Sequence, residues 1–138
     1  MFACKKVESV ARILAVTILL DQRQRDREMI EFCHYIMMIN KELNPDAILP
    51  REKILDWFET HKLEFAAALK ADTDGSFKTD IISAITEPSL RKKVLTAIFA
   101  VSISDYEFHA LEMEFIKTAL NLWKSDMPTM KDVSEMAT

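Results

Sequence analysis

Apolar residues recur along this chain at intervals of three and four, and no stretch alternates with the period of two that a half-buried strand requires. The spacing predicts a first helix over about residues 5–20, with Val7, Val10, Leu14 and Ile18 near one face and Ala11 and Ala15 permitting close approach of a neighbour. A second begins near Asp26 and runs through "EFCHYIMMI". Residues 32–39 are apolar on nearly all sides apart from His34, the pattern of a central helix enclosed by others, and Asn44–Pro45 ends the run. A third, over about residues 50–70, opens with Pro50 in its tolerated first turn and offers Ile54, Leu55, Trp57, Phe58, Phe65 and Leu69 to the core. "DTDG" at residues 72–75 reads as an Asp-Gly turn, followed by a short helix over about residues 79–85. Pro88 opens a fifth helix reaching about Ile103, and a sixth covers about residues 110–123. The prediction is an all-α fold: one compact bundle of six to seven helices over residues 1–124. Residues 125–138 form a polar, proline-broken tail that is either frayed or a short helix.

Composition supports that architecture and narrows the function classes. The chain has 138 residues, enough for one domain with a sizeable core. One glycine and four prolines leave few turns between long regular elements. A net charge of −4 argues against a nucleic-acid surface. Cys4 and Cys33 form no CxxC pair, which points to a reduced, cytoplasmic setting with Cys33 as a core thiol. Lys5 and Lys6 precede the apolar "ILAVTILL", but Arg12 sits against that run, Asp21 ends it and no small-x-small site follows. It is read as a buried helix rather than a leader or an integral membrane segment.

Two chemical patterns fail on spacing. Asp72, Asp74 and Gly75 match the third, fifth and sixth positions of a calcium loop, yet the first position falls on Lys70 and the twelfth on Ile81. Glu31-x-x-His34 supplies one quarter of a di-iron carboxylate site, and neither His61 nor His109 follows a glutamate by three residues to supply a second. His34 is then a satisfied core histidine, and the Met37–Met38 pair is adaptable packing.

A third pattern survives because it occurs twice. Setting residues 20–32, "LDQRQRDREMIEF", over residues 104–116, "SDYEFHALEMEFI", places Asp21 on Asp105, Glu28 on Glu112 and Met29 on Met113, at an offset of 84 residues. Each copy follows one apolar helix and leads into another. With Arg25 and His109 as N-caps, Glu28 and Glu112 take the third helical position, where a carboxylate reaches free backbone amides and complements the macrodipole. Asp21 and Asp105 would accept amides in the turns. Brought together, Asp21, Asp26, Glu28, Asp105, Glu107 and Glu112 would make an acidic surface, partly neutralised by Arg23, Arg25 and Arg27. Asp21, Glu28, Asp105 and Glu112 are the candidate ligands for a divalent cation, Mg²⁺ or Ca²⁺, the one cofactor such a set would suit.

The second copy, from Ser104 through Asp105, Glu107, Glu112 and Phe115, resembles the acidic motif of the TerB-like family. This family is found among bacterial tellurite-resistance proteins and in the N-terminal domain of a DnaJ-type co-chaperone. The resemblance extends over about residues 7–123. It implies a helical domain with two pseudo-symmetric motifs and a stress-response or accessory role. Asp105, Glu107 and Glu112 fall on the family's acidic positions; in the first copy Asp21 and Glu28 do, while Arg23 replaces the intervening acid. The usual glycine after the aspartate is Gln22 in one copy and Tyr106 in the other. The expected function is a noncatalytic module that meets protein partners through its acidic surface, with metal binding or sensing as the alternative. No Gly-rich phosphate loop, HExxH or Ser-His-Asp constellation argues for an enzyme. The sequence leaves a homo-oligomer open.

Overall fold

A computed structural model of the chain describes residues 2, 4–20, 26–104, 110–125 and 127–137, the side chain of Ala137 excepted. Seven helices appear among them, α1 (Lys5–Leu19), α2 (Asp26–Leu43), α3 (Arg51–Ala71), α4 (Ser76–Ser83), α5 (Pro88–Ile103), α6 (Ala110–Trp123) and α7 (Met130–Ala137), and no strand. None of the described helices is long and apolar enough to cross a membrane.

The centre is built from α1 and α5. The helix α1 packs against α2, α3, α4 and α5, while α5 packs against α1, α2, α6 and α7. Buried residues circle most of α1, from Val7 and Val10 through Ile13, Leu14, Ala15, Val16, Thr17 and Ile18. Thr17 is accommodated there because its hydroxyl donates to the Ile13 carbonyl at 2.9 Å; Thr96 in α5 donates in the same way to Lys92 at 3.0 Å. The enclosed position expected for α2 belongs to α1. One stripe of α2, Ile30, His34, Met37 and Lys41, faces solvent at helical spacing. His34 is therefore exposed rather than a core histidine; it meets Tyr35 edge-on, with ring centroids 5.2 Å apart. Met38, beside it, does pack against the core.

Local chemistry explains the element boundaries. Gly75 adopts φ +80°, the left-handed conformation of the anticipated Asp-Gly turn, and Asp74 accepts the Ser76 amide at 3.0 Å. Asp72 accepts the amides of Phe77 and Lys78 at 3.3 and 3.4 Å, so α4 begins at Ser76, three residues before its predicted start. The helix α6 ends with Lys124 at φ 51° and the Ser125 amide bonded to the Leu120 carbonyl at 3.1 Å, a Schellman closure that redirects the chain towards α7.

The C-terminal segment, described sparsely by its polarity, forms the helix α7. The Thr129 amide donates to Asp132 at 2.8 Å, and the Asp132 amide donates to the Thr129 hydroxyl at 3.2 Å. This reciprocal box satisfies donors that would otherwise be free at a helix start. The Thr129 amide holds the Asp132 carboxyl below its ordinary value, with Lys92 and Lys131 adding smaller contributions.

Burial ranks the side chains for mutation. Leu14 is fully enclosed and Leu63 is 77% exposed. Leu14→Ala should lower the unfolding free energy in urea by about 3 kcal/mol, and Leu63→Ala should change it by less than about 0.5 kcal/mol. Equal losses would mean that α1 is not the central helix.

Asp132 gives a pH dependence local to α7. Its folded pKa is depressed, so its contribution is complete above the unfolded value of about 3.9 and disappears as pH falls through the lower folded value. Protection of the Val133 amide, corrected for intrinsic exchange, should be level from about pH 7 to 5 and fall below about pH 4. The same profile in Asp132→Asn should lack that step.

Candidate functional site

The two copies of the repeat share part of their pattern of helices and burial as far as they are described. The helices α1 and α5 end at Leu19 and Ile103, 84 positions apart, and the described parts of α2 and α6 open at Asp26 and Ala110. Burial repeats with the same offset: Val10 with Val94, Leu14 with Ile98, Glu28 with Glu112, Phe32 with Ile116, Ile39 with Trp123. The correspondence holds at these positions and not over the whole face, since buried Cys33 falls on exposed Lys117 and buried Met29 on half-buried Met113.

Glu28 and Glu112 lie in the first described turns of α2 and α6. Both are 1% exposed, and both oxygens of Glu28 and the Oε2 of Glu112 are shielded from solvent. These two acids consequently lie inside the bundle and do not contribute to an outer acidic face. A carboxylate at that depth is costly unless compensated, and the first turn of a helix offers compensation through free amides and the positive end of the dipole. Each Glu engages in interactions within the described structure.

Asp26 is exposed at the start of α2. Asp21, Asp105 and Glu107 lie outside the described residues, as do the proposed N-caps Arg25 and His109 and the arginines Arg23 and Arg25 of the first corner. The flanks of the two corners are described, and they meet. Arg27, Ile30 and Glu31, which follow the first corner, line one cleft of about 440 Å³ with Ile103 and Ser104, which precede the second. The opening of α2 and the close of α5 therefore share one end of the bundle. Ile30, 49% exposed, contributes an apolar wall there. Ser104 donates its hydroxyl to the Val101 carbonyl at 2.8 Å, closing the last turn of α5.

Of the four candidate metal ligands, Glu28 and Glu112 are described and internal, whereas Asp21 and Asp105 are not described. Among the described residues no three His, Cys, Asp or Glu side chains converge with metal-binding geometry. Asp72 and Asp74, the other carboxylates with a calcium-like sequence, spend oxygens on backbone amides of their own turn.

The thiols differ in setting. Burial pushes the Cys33 thiol up from its ordinary value, against a smaller opposing influence of Arg51, while Cys4 is only partly buried at the start of α1. The cleft itself was not legible in the sequence, because Ile30, Ile103 and Val133 follow the same apolar rhythm as core positions. The Thr-x-x-Asp spacing at Thr129 and Asp132 was the available sign that α7 would form and line it.

Truncating an internal carboxylate removes its interactions and leaves a void. Glu28→Ala and Glu112→Ala should each lower the unfolding free energy by about 2 kcal/mol, with Asp26→Ala nearly neutral, measured by urea titration. If both glutamates proved as tolerant as Asp26, their bracing role in the two hairpins would be refuted.

Comparison of the chain with protein-family models, with curated proteins and with solved structures finds no match.

Proposed function

We propose that the chain is a diverged TerB-like accessory domain of the cytoplasm, noncatalytic, that meets a basic segment of a protein partner at the corner end of the bundle. The observation that carries this reading is the shared cleft, in which the described flanks of both acidic corners, Arg27, Ile30 and Glu31 with Ile103 and Ser104, come together. The repeat then divides its acids by depth. Glu28 and Glu112 brace the two helices from within, and Asp26 is exposed; the sequence adds the acids Asp21, Asp105 and Glu107 to the charge of the two corners, a field that would attract a basic partner. Exposed Ile30 in the cleft adds apolar contact, and the half-buried Glu31 adds a further carboxylate.

Charge reversal tests the surface without disturbing the braces. Asp26→Lys and Glu107→Lys together should reduce capture of native partners at least tenfold and leave the urea midpoint unchanged. Unchanged recovery of every partner would remove the corner end from consideration. A Mg²⁺ and Ca²⁺ titration followed by NMR distinguishes the metal reading. The expected result is no saturable shift at millimolar ion. Saturable shifts confined to residues 21–28 and 105–112, abolished by Asp105→Asn, would replace the partner reading with cation binding.

A further inference from the structure

The helix α7 packs on α5, with open space on either side of it that α2 helps to wall, and the α2 and α5 surfaces together form its seat. On one side Met130 and Val133 border the corner cleft with Ile30, Ala100 and Ile103. On the other, Asp132, Glu135 and Met136 border a groove of about 790 Å³ whose opposite walls carry Met38, Lys41, Lys92, Lys93 and Thr96. The seat therefore carries Ile30, Ala100 and Ile103 on one side and Met38 with Thr96 on the other, and it is cationic along the second rim, where Lys41 and Lys92 are exposed and Lys93 pairs with Glu42.

The segment in that seat matches its chemistry. Apolar Met130, Val133 and Met136 recur every three residues, and the carboxylates Asp132 and Glu135 fall between them with the same spacing. Lys92 lies near enough to Asp132 to act on it electrostatically. The attachment is light. Val133 and Met136 are only partly buried against the core, and Met130 is 60% exposed. A helix of eight residues does not persist alone in water, so release of α7 and its unfolding are one event.

We propose that the α2–α5 seat is a docking site for an acidic amphipathic helix of a partner protein, and that α7 is a built-in competitor holding the site closed. The occupant carries apolar residues at i, i+3 and i+6 with carboxylates between them, the pattern that α7 displays. The half-buried Met38 side chain adapts to differing apolar anchors, and the lysines fix the orientation of the incoming helix. The inference rests on the reading of the chain as an interaction module but not on the acidic corners. The two surfaces share Ile30 and Ile103, but the charge reversals at Asp26 and Glu107 alter neither these residues nor the lysine rim, so failure at one surface is distinguishable from failure at the other.

A labelled synthetic peptide of residues 125–138 serves as the probe, with binding to the full chain followed by fluorescence anisotropy. Val133→Asp with Met136→Asp releases the resident helix, and the peptide should bind this variant at least tenfold more tightly than the wild type. Adding Lys92→Glu should weaken that binding at least fivefold. Equal affinity for wild type and variant, or no binding to a variant that retains its helical circular dichroism and cooperative melt, would overturn the proposal. Should the double variant fail to fold, amide exchange on the wild type decides. Amides of residues 133–137 should exchange at least a hundredfold faster than those of α5, and exchange of α7 only with global unfolding would overturn the proposal. A concentration-dependent dimer of the wild type by light scattering, with α7 exchanged between copies, would also overturn it in favour of self-association.

Discussion

The burial of α1 against α5 is the constraint from which the rest of the architecture follows. Each is apolar around most of its circumference, so neither can rest at a surface, and together they require cover from every direction. The helices α2, α3 and α4 cover α1, while α2, α6 and α7 cover α5. Small residues on both central helices, Ala11 and Ala15 on one and Ala97 and Ala100 on the other, are buried and allow neighbouring backbones to approach. Aromatic side chains fill the outer layer of this core, with Phe32 edge-on to Phe58 at 5.4 Å and Phe2 edge-on to Trp57 at 5.2 Å.

Such a core leaves polar groups few places to enter, and the repeat shows where they do. Glu28 and Glu112 enter at helix starts, where the backbone itself is electropositive; Thr17 and Thr96 enter by bonding their own helices. Asn40 enters near the end of α2, donating to the Ala47 carbonyl at 2.9 Å and so tying the following loop to the bundle. The two threonines share a carbonyl already in the helix ladder, using its second lone pair, whereas Asn40 bonds a carbonyl of the loop that follows its helix.

Most of the helices could be read from apolar spacing because Pro50, Pro88, Asn44–Pro45 and the Asp-Gly turn punctuate them with strong backbone signals. The depth of a helix was harder to read. Ile30 and Met37 carry the hydrophobicity of core residues, and only tertiary packing determines that their stripe on α2 faces outward. The offset of 84 correctly paired Glu28 with Glu112, but their inward placement could not be derived from residue type, since a charged side chain ordinarily signals exposure. The short helix α7 was obscured by a polar composition whose decisive feature is a two-residue capping relation rather than a long periodicity.

The tether between α6 and α7 gives the seat a threshold. Residues 124–129 join the two helices through the left-handed turn at Lys124 and the buried Pro128. A short connection of this kind keeps α7 at an effective concentration on the order of millimolar beside its own seat. A free helix of equal intrinsic affinity would have to approach that concentration before displacing it. Lengthening or stiffening the tether would therefore alter occupancy without changing one contact in the groove, making the span between α6 and α7 a means of setting sensitivity separate from the means of setting specificity.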